Sequence, residues 1–133
     1  MKLTTIEGIG PTFAAKLGEC KIKSCEGLLS HAATKKARLK LAADTGIEEA
    51  RILKWVNHAD LMRIKGIGGE YAELLEAAGV DSVPELSKRR ADNLHAKMVE
   101  VNAAKKLVRQ VASAKQVAGW IEQAQALPKV VTH

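Results

Sequence analysis

Aromatic residues are almost missing from this sequence of 133 residues, which has two Trp, one Tyr and one Phe. A densely packed core must therefore be filled by Leu, Ile, Val and Ala, as is typical of packed helices. The same shortage gives no support to a single-stranded nucleic acid as ligand, because proteins that bind single strands stack the bases on aromatic side chains.

Cysteine and long apolar runs are also scarce. Cys20 and Cys25 are the only cysteines, and their spacing matches no common zinc pattern. We therefore expect two reduced thiols and no bound metal, with a disulfide between the two as the alternative. No apolar run approaches membrane-spanning length and no leader pattern precedes the first motif. These absences predict a soluble, cytoplasmic protein without a membrane partner.

Catalytic patterns are missing as well. There is no Ser-His-Asp set, no paired carboxylates and no Gly-rich nucleotide loop after a strand. The four histidines stand at no metal-binding spacing from one another or from the cysteines: His31, His58, His95 and His133. We expect neither an enzyme nor a small-molecule substrate.

What the sequence does contain is an internal repeat. Residues 6–10, Ile-Glu-Gly-Ile-Gly, return as Ile-Lys-Gly-Ile-Gly at residues 64–68, and flanking apolar residues such as Leu17 and Leu75 keep the same offset. A repeat of this length indicates a duplicated folding unit. Each copy predicts a short helix, a tight turn whose central Ile enters the core, and a second helix.

Glycine is the second feature of these turns. Both glycines of each turn are free to take φ > 0. We therefore expect Gly10→Val or Gly68→Val to destabilise the protein, because a β-branched residue resists that conformation. The turns also leave backbone N–H groups free at a helix N-terminus, an arrangement that suits a phosphate.

The pattern from Leu3 to Leu17, with its copy from Leu61 to Leu75, resembles the helix-hairpin-helix motif of many DNA repair, recombination and replication proteins. The resemblance implies turn backbones that contact DNA phosphates without reading base sequence. It also allows a monovalent cation at a hairpin, and we expect no other cofactor. The first 60 residues resemble the small N-terminal helical domain of strand-exchange recombinases. The whole chain is similar to an uncharacterised bacterial family with two such repeats.

The predicted fold is all-α, with two tandem helix-hairpin-helix repeats packed as one compact unit, each a sharp hairpin followed by a degenerate one. The repeats cover residues 1–62 and 63–128, and residues 129–133 form a C-terminal tail. Trp120 echoes Trp55 at a larger offset than the turns do, so the second repeat carries about seven extra residues. Both Trp side chains are expected in the core, with an interface role as the alternative.

Before the final helix of the second repeat, the sequence predicts two further helices. The first covers Ala91–Val101, and the second covers Ala104–Val111. Asn102 separates them, because Asn tolerates the left-handed conformation.

The net charge of +6 permits a polyanionic partner. The candidate nucleic-acid-binding residues are the two turns and three basic clusters. The turn residues are Gly8, Ile9, Gly10, Lys65, Gly66, Ile67, Gly68 and Gly69. The clusters are Lys35, Lys36 and Arg38; Lys88, Arg89 and Arg90; and Lys105, Lys106 and Arg109. Such clusters neutralise phosphates and make affinity salt-dependent. The alternative is that the clusters are solvated helix faces and that the glycines only form turns.

The leading interpretation is non-sequence-specific binding of nucleic acid, with double-stranded DNA as the expected ligand. The alternative is a protein-interaction adaptor that uses the same fold and binds no nucleic acid. Lys65 replaces Glu7 at the matching position, so the second turn is expected to contribute more to binding than the first.

Overall fold

A computed structural model describes residues 1–133 and confirms the all-α class. One short 3₁₀ helix precedes eight α-helices, and the only strand-like feature is an isolated bridge between Lys2 and Ser24. The 3₁₀ helix covers Leu3–Thr5, and the α-helices are α1 (Pro11–Glu19), α2 (Cys25–His31), α3 (Lys35–Thr45), α4 (Glu49–Leu61), α5 (Gly69–Ala77), α6 (Val83–Ser87), α7 (Ala91–Lys105) and α8 (Ala114–Ala126).

The helices belong to two compact units. The first unit consists of Met1–Asp60 together with Val130–His133, and the second consists of Leu61–Lys129. The repeat limits at residues 62 and 128 describe sequence similarity and remain a prediction.

The core of the first unit is aliphatic, as the shortage of aromatic residues requires. Ile6, Leu17, Leu28 and Ile52 are at most 1% exposed, and Trp55 lies among the buried side chains with them. The last residues of the chain join this unit, because the Thr132 amide donates a hydrogen bond to the Ala33 carbonyl at 2.9 Å. Val131, the residue before Thr132, is buried.

The second unit buries an equivalent set of side chains. Helix α8 packs against α6 and α7, and α5 packs against α7. Ile67, Leu75, Leu86, Met98 and Trp120 all lie in this core. The predicted burial of Ile9 and Ile67 from the two turns and of both Trp side chains is confirmed.

The predicted helix over residues 104–111 is wrong. Helix α7 continues through Asn102 to Lys105, and Lys106 takes the left-handed conformation instead, with φ 52° and ψ 47°. The Asn102 side chain explains the difference. Its Nδ2 donates to the Val108 carbonyl at 3.0 Å and its Oδ1 accepts from the Val108 amide at 2.9 Å. Asn102 thus holds a loop over residues 106–113 while its own backbone stays helical.

The prediction of two positive-φ glycines per turn is correct only for the first glycine of each. Gly8 has φ 94° and Gly66 has φ 99°. Gly10 and Gly68 are instead the N-cap residues of α1 and α5, with extended backbones at φ −93° and −97°. An N-cap residue lies outside the helix and normally takes a β-region conformation, so any residue can adopt it. The expected strain in Gly10→Val and Gly68→Val therefore has no conformational basis.

Candidate nucleic-acid interface

The first turn, residues 6–10, is closed by a hydrogen bond from the Ile9 amide to the Ile6 carbonyl at 3.1 Å. Helix α1 then begins with the bond from the Ala14 amide to the Gly10 carbonyl at 3.0 Å. No hydrogen bond within the chain uses the amides of Gly8 or Gly10. The turn therefore leaves donor groups available at the start of a helix, where the helix dipole favours an anion.

Trp55, from α4, lies directly against this turn. A Cβ atom on Gly8 would stand 3.3 Å from Trp55 Nε1. The indole also packs edge-on against Phe13 of α1, with the ring centroids 5.1 Å apart. The positive φ of Gly8 favours glycine, and the close approach of Trp55 Nε1 leaves little room for a side chain.

Two cationic side chains of α4, those of Arg51 and Lys54, lie with Trp55 beside the first turn. Glu7, Gly8, Arg51, Lys54 and Trp55 line a pocket of about 300 Å³. The Arg51 guanidinium lies over the Phe13 ring at 5.0 Å from its centroid. This cation–π contact restricts the side chain while leaving its N–H groups able to bind an anion.

Arg51 and Lys54 were not among the residues predicted from the sequence. They precede Trp55 by four positions and one position on α4, so they emerge near the same turn of that helix. The sequence signal that could have identified these two residues is the recurrence of Trp55 as Trp120 in the second repeat. A prediction that Trp55 packs against the Gly8 turn would also have placed Arg51 and Lys54 near that turn.

The second turn, residues 64–68, has matching local geometry. The Ile67 amide donates to the Ile64 carbonyl at 3.2 Å, and the Ala72 amide donates to the Gly68 carbonyl at 2.9 Å. A Cβ atom on Gly66 would stand only 2.8 Å from Trp120 Nε1. Tyr71 takes the place of Phe13, and its ring centroid lies 5.2 Å from that of Trp120.

The polar surroundings of the second turn differ from those of the first. Gln123 accepts a hydrogen bond from the Lys65 amide at 3.0 Å and donates one to the Lys65 carbonyl at 3.2 Å. At the positions that match Arg51 and Lys54 relative to the tryptophan, α8 has Gln116 and Gly119. The second turn therefore has Lys65 but no cation at these two positions of the tryptophan helix. The prediction that the second turn contributes more to binding than the first considered only the residues of the turns themselves.

The first basic cluster is divided by burial. Lys35 and Lys36 are exposed on α3, as predicted for phosphate contacts. Arg38 is fully buried, and its Nη atoms donate to the carbonyls of Ala32 (3.1 Å), Ala33 (2.9 Å) and Thr132 (2.7 Å). Its Nε pairs with Glu49 at 3.3 Å. Arg38 is a structural residue in this fold, and a phosphate cannot reach its guanidinium.

The second cluster is largely engaged in local contacts. Arg89 pairs with Glu85 at 3.1 Å and donates to the Gly79 carbonyl at 2.9 Å, while Arg90 pairs with Asp92 at 3.3 Å. Lys88 is exposed. These ion pairs place a carboxylate beside each arginine, which weakens the attraction of this cluster for a polyanion.

The third cluster is exposed in all its members, Lys105, Lys106 and Arg109. Lys106 and Arg109 also line a pocket of about 510 Å³ in the second unit. Glu70, in the first turn of α5, and Asn102, Ala103, Leu107 and Val108 complete its lining. Of the predicted clusters, this one is the best placed to receive an anion.

Metal and thiol chemistry find little support in the side-chain arrangement. No group of three or more His, Cys, Asp or Glu side chains could hold a metal ion. Cys20 and Cys25 are free thiols, and the Cys25 Sγ lies 3.3 Å from the Lys2 carbonyl. Burial raises the pKa of the Cys25 thiol, which keeps it in the less reactive protonated form. None of the helices has both the length and the apolar character needed to cross a membrane.

These features define an all-α protein with two helical units, each built around a glycine turn packed on a tryptophan. The sequence profile described as "Domain of unknown function (DUF4332)" matches residues 7–127, so the chain belongs to this family. The expected relation to an uncharacterised family is confirmed at this level. Comparisons with curated proteins and with solved structures give no match.

Proposed function

We propose that the protein binds nucleic acid, and double-stranded DNA in particular, through phosphate contacts at helix-hairpin-helix turns. The observation that carries the proposal is the pocket beside the first turn. There, Gly8, whose amide has no acceptor in the chain, lines the pocket together with the cationic side chain of Arg51.

Amide donors combined with a guanidinium suit a phosphate better than they suit a neutral ligand. Hydrogen bonds from a charged donor to a phosphate are shorter and about twice as strong as neutral ones. Glu7 lines the same pocket and opposes an anion. The positive charge of Arg51, which lies over Phe13, offsets the negative charge of Glu7. Lys54 adds a second positive charge to the pocket.

Sequence-independent binding follows from the kind of groups present. Backbone amides and basic side chains bind phosphate and sugar, which carry no base identity. A duplex presents regularly spaced phosphates to such groups, whereas a single strand would require stacking platforms. Phe13 is half-buried and already packed against Trp55 and Arg51, so its ring is not open for a base to stack on.

Arg51→Gln tests the proposal at the site that carries it. We expect the variant to bind a random duplex more weakly at every sequence tested. The slope of log affinity against log salt should become shallower by about 0.9, the value for one lost phosphate contact. The measurement is a fluorescence-anisotropy titration of a labelled duplex at several salt concentrations.

Lys97→Gln is the matched control, because it removes one positive charge from an exposed residue of α7 that pairs with Glu100 and belongs to no cluster. Its salt slope should equal that of the wild type. Arg51→Lys keeps the charge and should restore the salt slope, but it should restore only part of the affinity, because Lys lacks the planar guanidinium that stacks on Phe13. Absence of binding by the wild type at low salt and tens of micromolar protein would reject the DNA function. The protein-interaction adaptor would then be the better hypothesis.

A further inference from the structure

We propose that the second unit binds phosphate mainly at the pocket lined by residues 106–109 of the loop between α7 and α8, and not at its glycine turn. The ligand group is a phosphate, and the expected source is the backbone of the duplex, so this part of the inference rests on the proposed function. The residues assigned to the contact are Lys106 and Arg109, with Glu70 opposing them.

The pocket lies where the two units differ in length. Helix α3 has 11 residues and α7 has 15. The connection from α3 to α4 covers residues 46–48, whereas the connection from α7 to α8 covers residues 106–113. The extra residues of the second unit therefore lie at the end of α7 and in the following loop. They are the same residues that line most of the pocket.

The loop is held in place by side chains outside it. Asn102 bonds both the amide and the carbonyl of Val108, at 2.9 and 3.0 Å, and the Tyr71 hydroxyl donates to the Gln110 carbonyl at 2.8 Å. Val108 and Ala112 anchor the loop in the core. Because the loop is already ordered, binding loses little conformational entropy.

The charge of the pocket favours an anion. Lys106 and Arg109 are exposed, and neither forms an ion pair within the chain. Two positive charges face a single carboxylate, that of Glu70, so the lining has a net positive charge. A guanidinium can bind two phosphate oxygens at once, and a volume of about 510 Å³ has room for a phosphate with its attached sugar.

The second turn is less suited to the same task. Gln123 already bonds the amide and the carbonyl of Lys65, and Gln116 and Gly119 stand where the first unit has its two pocket cations. The first unit supplies positive charge from its tryptophan helix. The second supplies it from the longer connection that precedes its tryptophan helix.

The test uses the full chain with the double variant Lys106→Gln/Arg109→Gln in the duplex titration. We expect its salt slope to become shallower by about 0.9 for each cation removed. Lys97→Gln on α7, the helix that precedes the loop, is the control and should leave the slope unchanged. Glu70→Gln should act in the opposite direction and tighten binding, because it removes the one opposing charge. Circular dichroism verifies that each variant keeps its helical content.

A second measurement distinguishes the source of the phosphate. Inorganic phosphate is added to ¹⁵N-labelled protein, and the amide resonances of residues 106–110 are followed in wild type and double variant. Shifts that vanish in the double variant support the pocket even when no duplex binds, in which case the DNA function alone has failed. Duplex binding with an unchanged salt slope in the double variant overturns the inference and leaves the DNA function standing. Absence of both duplex binding and phosphate shifts overturns both.

Discussion

Replacing Gly66 by Ala is expected to destabilise the second unit by about 2–4 kcal/mol, whereas Gly68→Ala should cost no more than about 1 kcal/mol, the usual disadvantage of Ala against Gly at an N-cap. The two glycines are two residues apart in the same turn, but their environments differ. Gly66 has φ 99°, which strains any side chain, and an added Cβ would lie 2.8 Å from Trp120 Nε1. Gly68 has an extended backbone and no atom within 4 Å of an added Cβ.

Urea denaturation followed by circular dichroism measures both variants against the wild type. Gly8→Ala and Gly10→Ala repeat the comparison in the first unit. There the contact with Trp55 Nε1 is longer, at 3.3 Å, so Gly8→Ala should destabilise less than Gly66→Ala. Equal stability of Gly66→Ala and Gly68→Ala would show that the positive φ and the Trp120 contact impose no requirement for glycine.

Arg38→Met should destabilise the first unit by about 3 kcal/mol, because it removes the donor that satisfies three buried or half-buried carbonyls and one carboxylate. Breaking a buried ion pair is more costly than breaking an exposed one, since the remaining partner loses its compensation. The Glu49 side chain is 23% exposed and can still reach water, which puts the expected loss at the low end of the usual range.

Lys36→Met is the control for Arg38→Met, because Lys36 lies on the same helix with its side chain exposed. Its unfolding free energy should stay within about 0.5 kcal/mol of the wild type. Hydrogen exchange at the Thr132 amide gives an independent reading. That amide bonds the Ala33 carbonyl and the Thr132 carbonyl bonds Arg38, so exchange should accelerate in Arg38→Met. Unchanged stability together with unchanged exchange would contradict the structural role of Arg38.

Much of the fold could be predicted from periodicity and repetition. The all-α class, the burial of Ile9 and Ile67 and the core positions of both Trp residues follow from apolar spacing, and each is confirmed. Local signals failed where a distant or competing contact decided the conformation. Asn102 has the backbone tolerance to end a helix, yet its side chain holds Val108 and the helix continues to Lys105.

The candidate site was less predictable than the fold. The sequence identified the glycine turns and the Lys106/Arg109 cluster, because both are visible as short-range patterns. It did not distinguish buried Arg38 from its exposed neighbours Lys35 and Lys36. Arg38 is buried among carbonyl groups that include that of Thr132, and the position of such a distant segment is set by the fold. It also missed Arg51, whose position beside Gly8 depends on the packing of α4 against the first turn.

The sequence by itself determined most of the helices, the two glycine turns and the excess of positive charge, because these depend on local spacing and on composition. The tertiary structure alone decided which glycine of each turn is conformationally required, which basic residues remain on the surface, and which of them line a pocket. Those properties arise from contacts between residues far apart in the chain, as between Gly66 and Trp120 or between Arg38 and Thr132. No pattern over neighbouring residues records such a contact, so only the folded chain could show it.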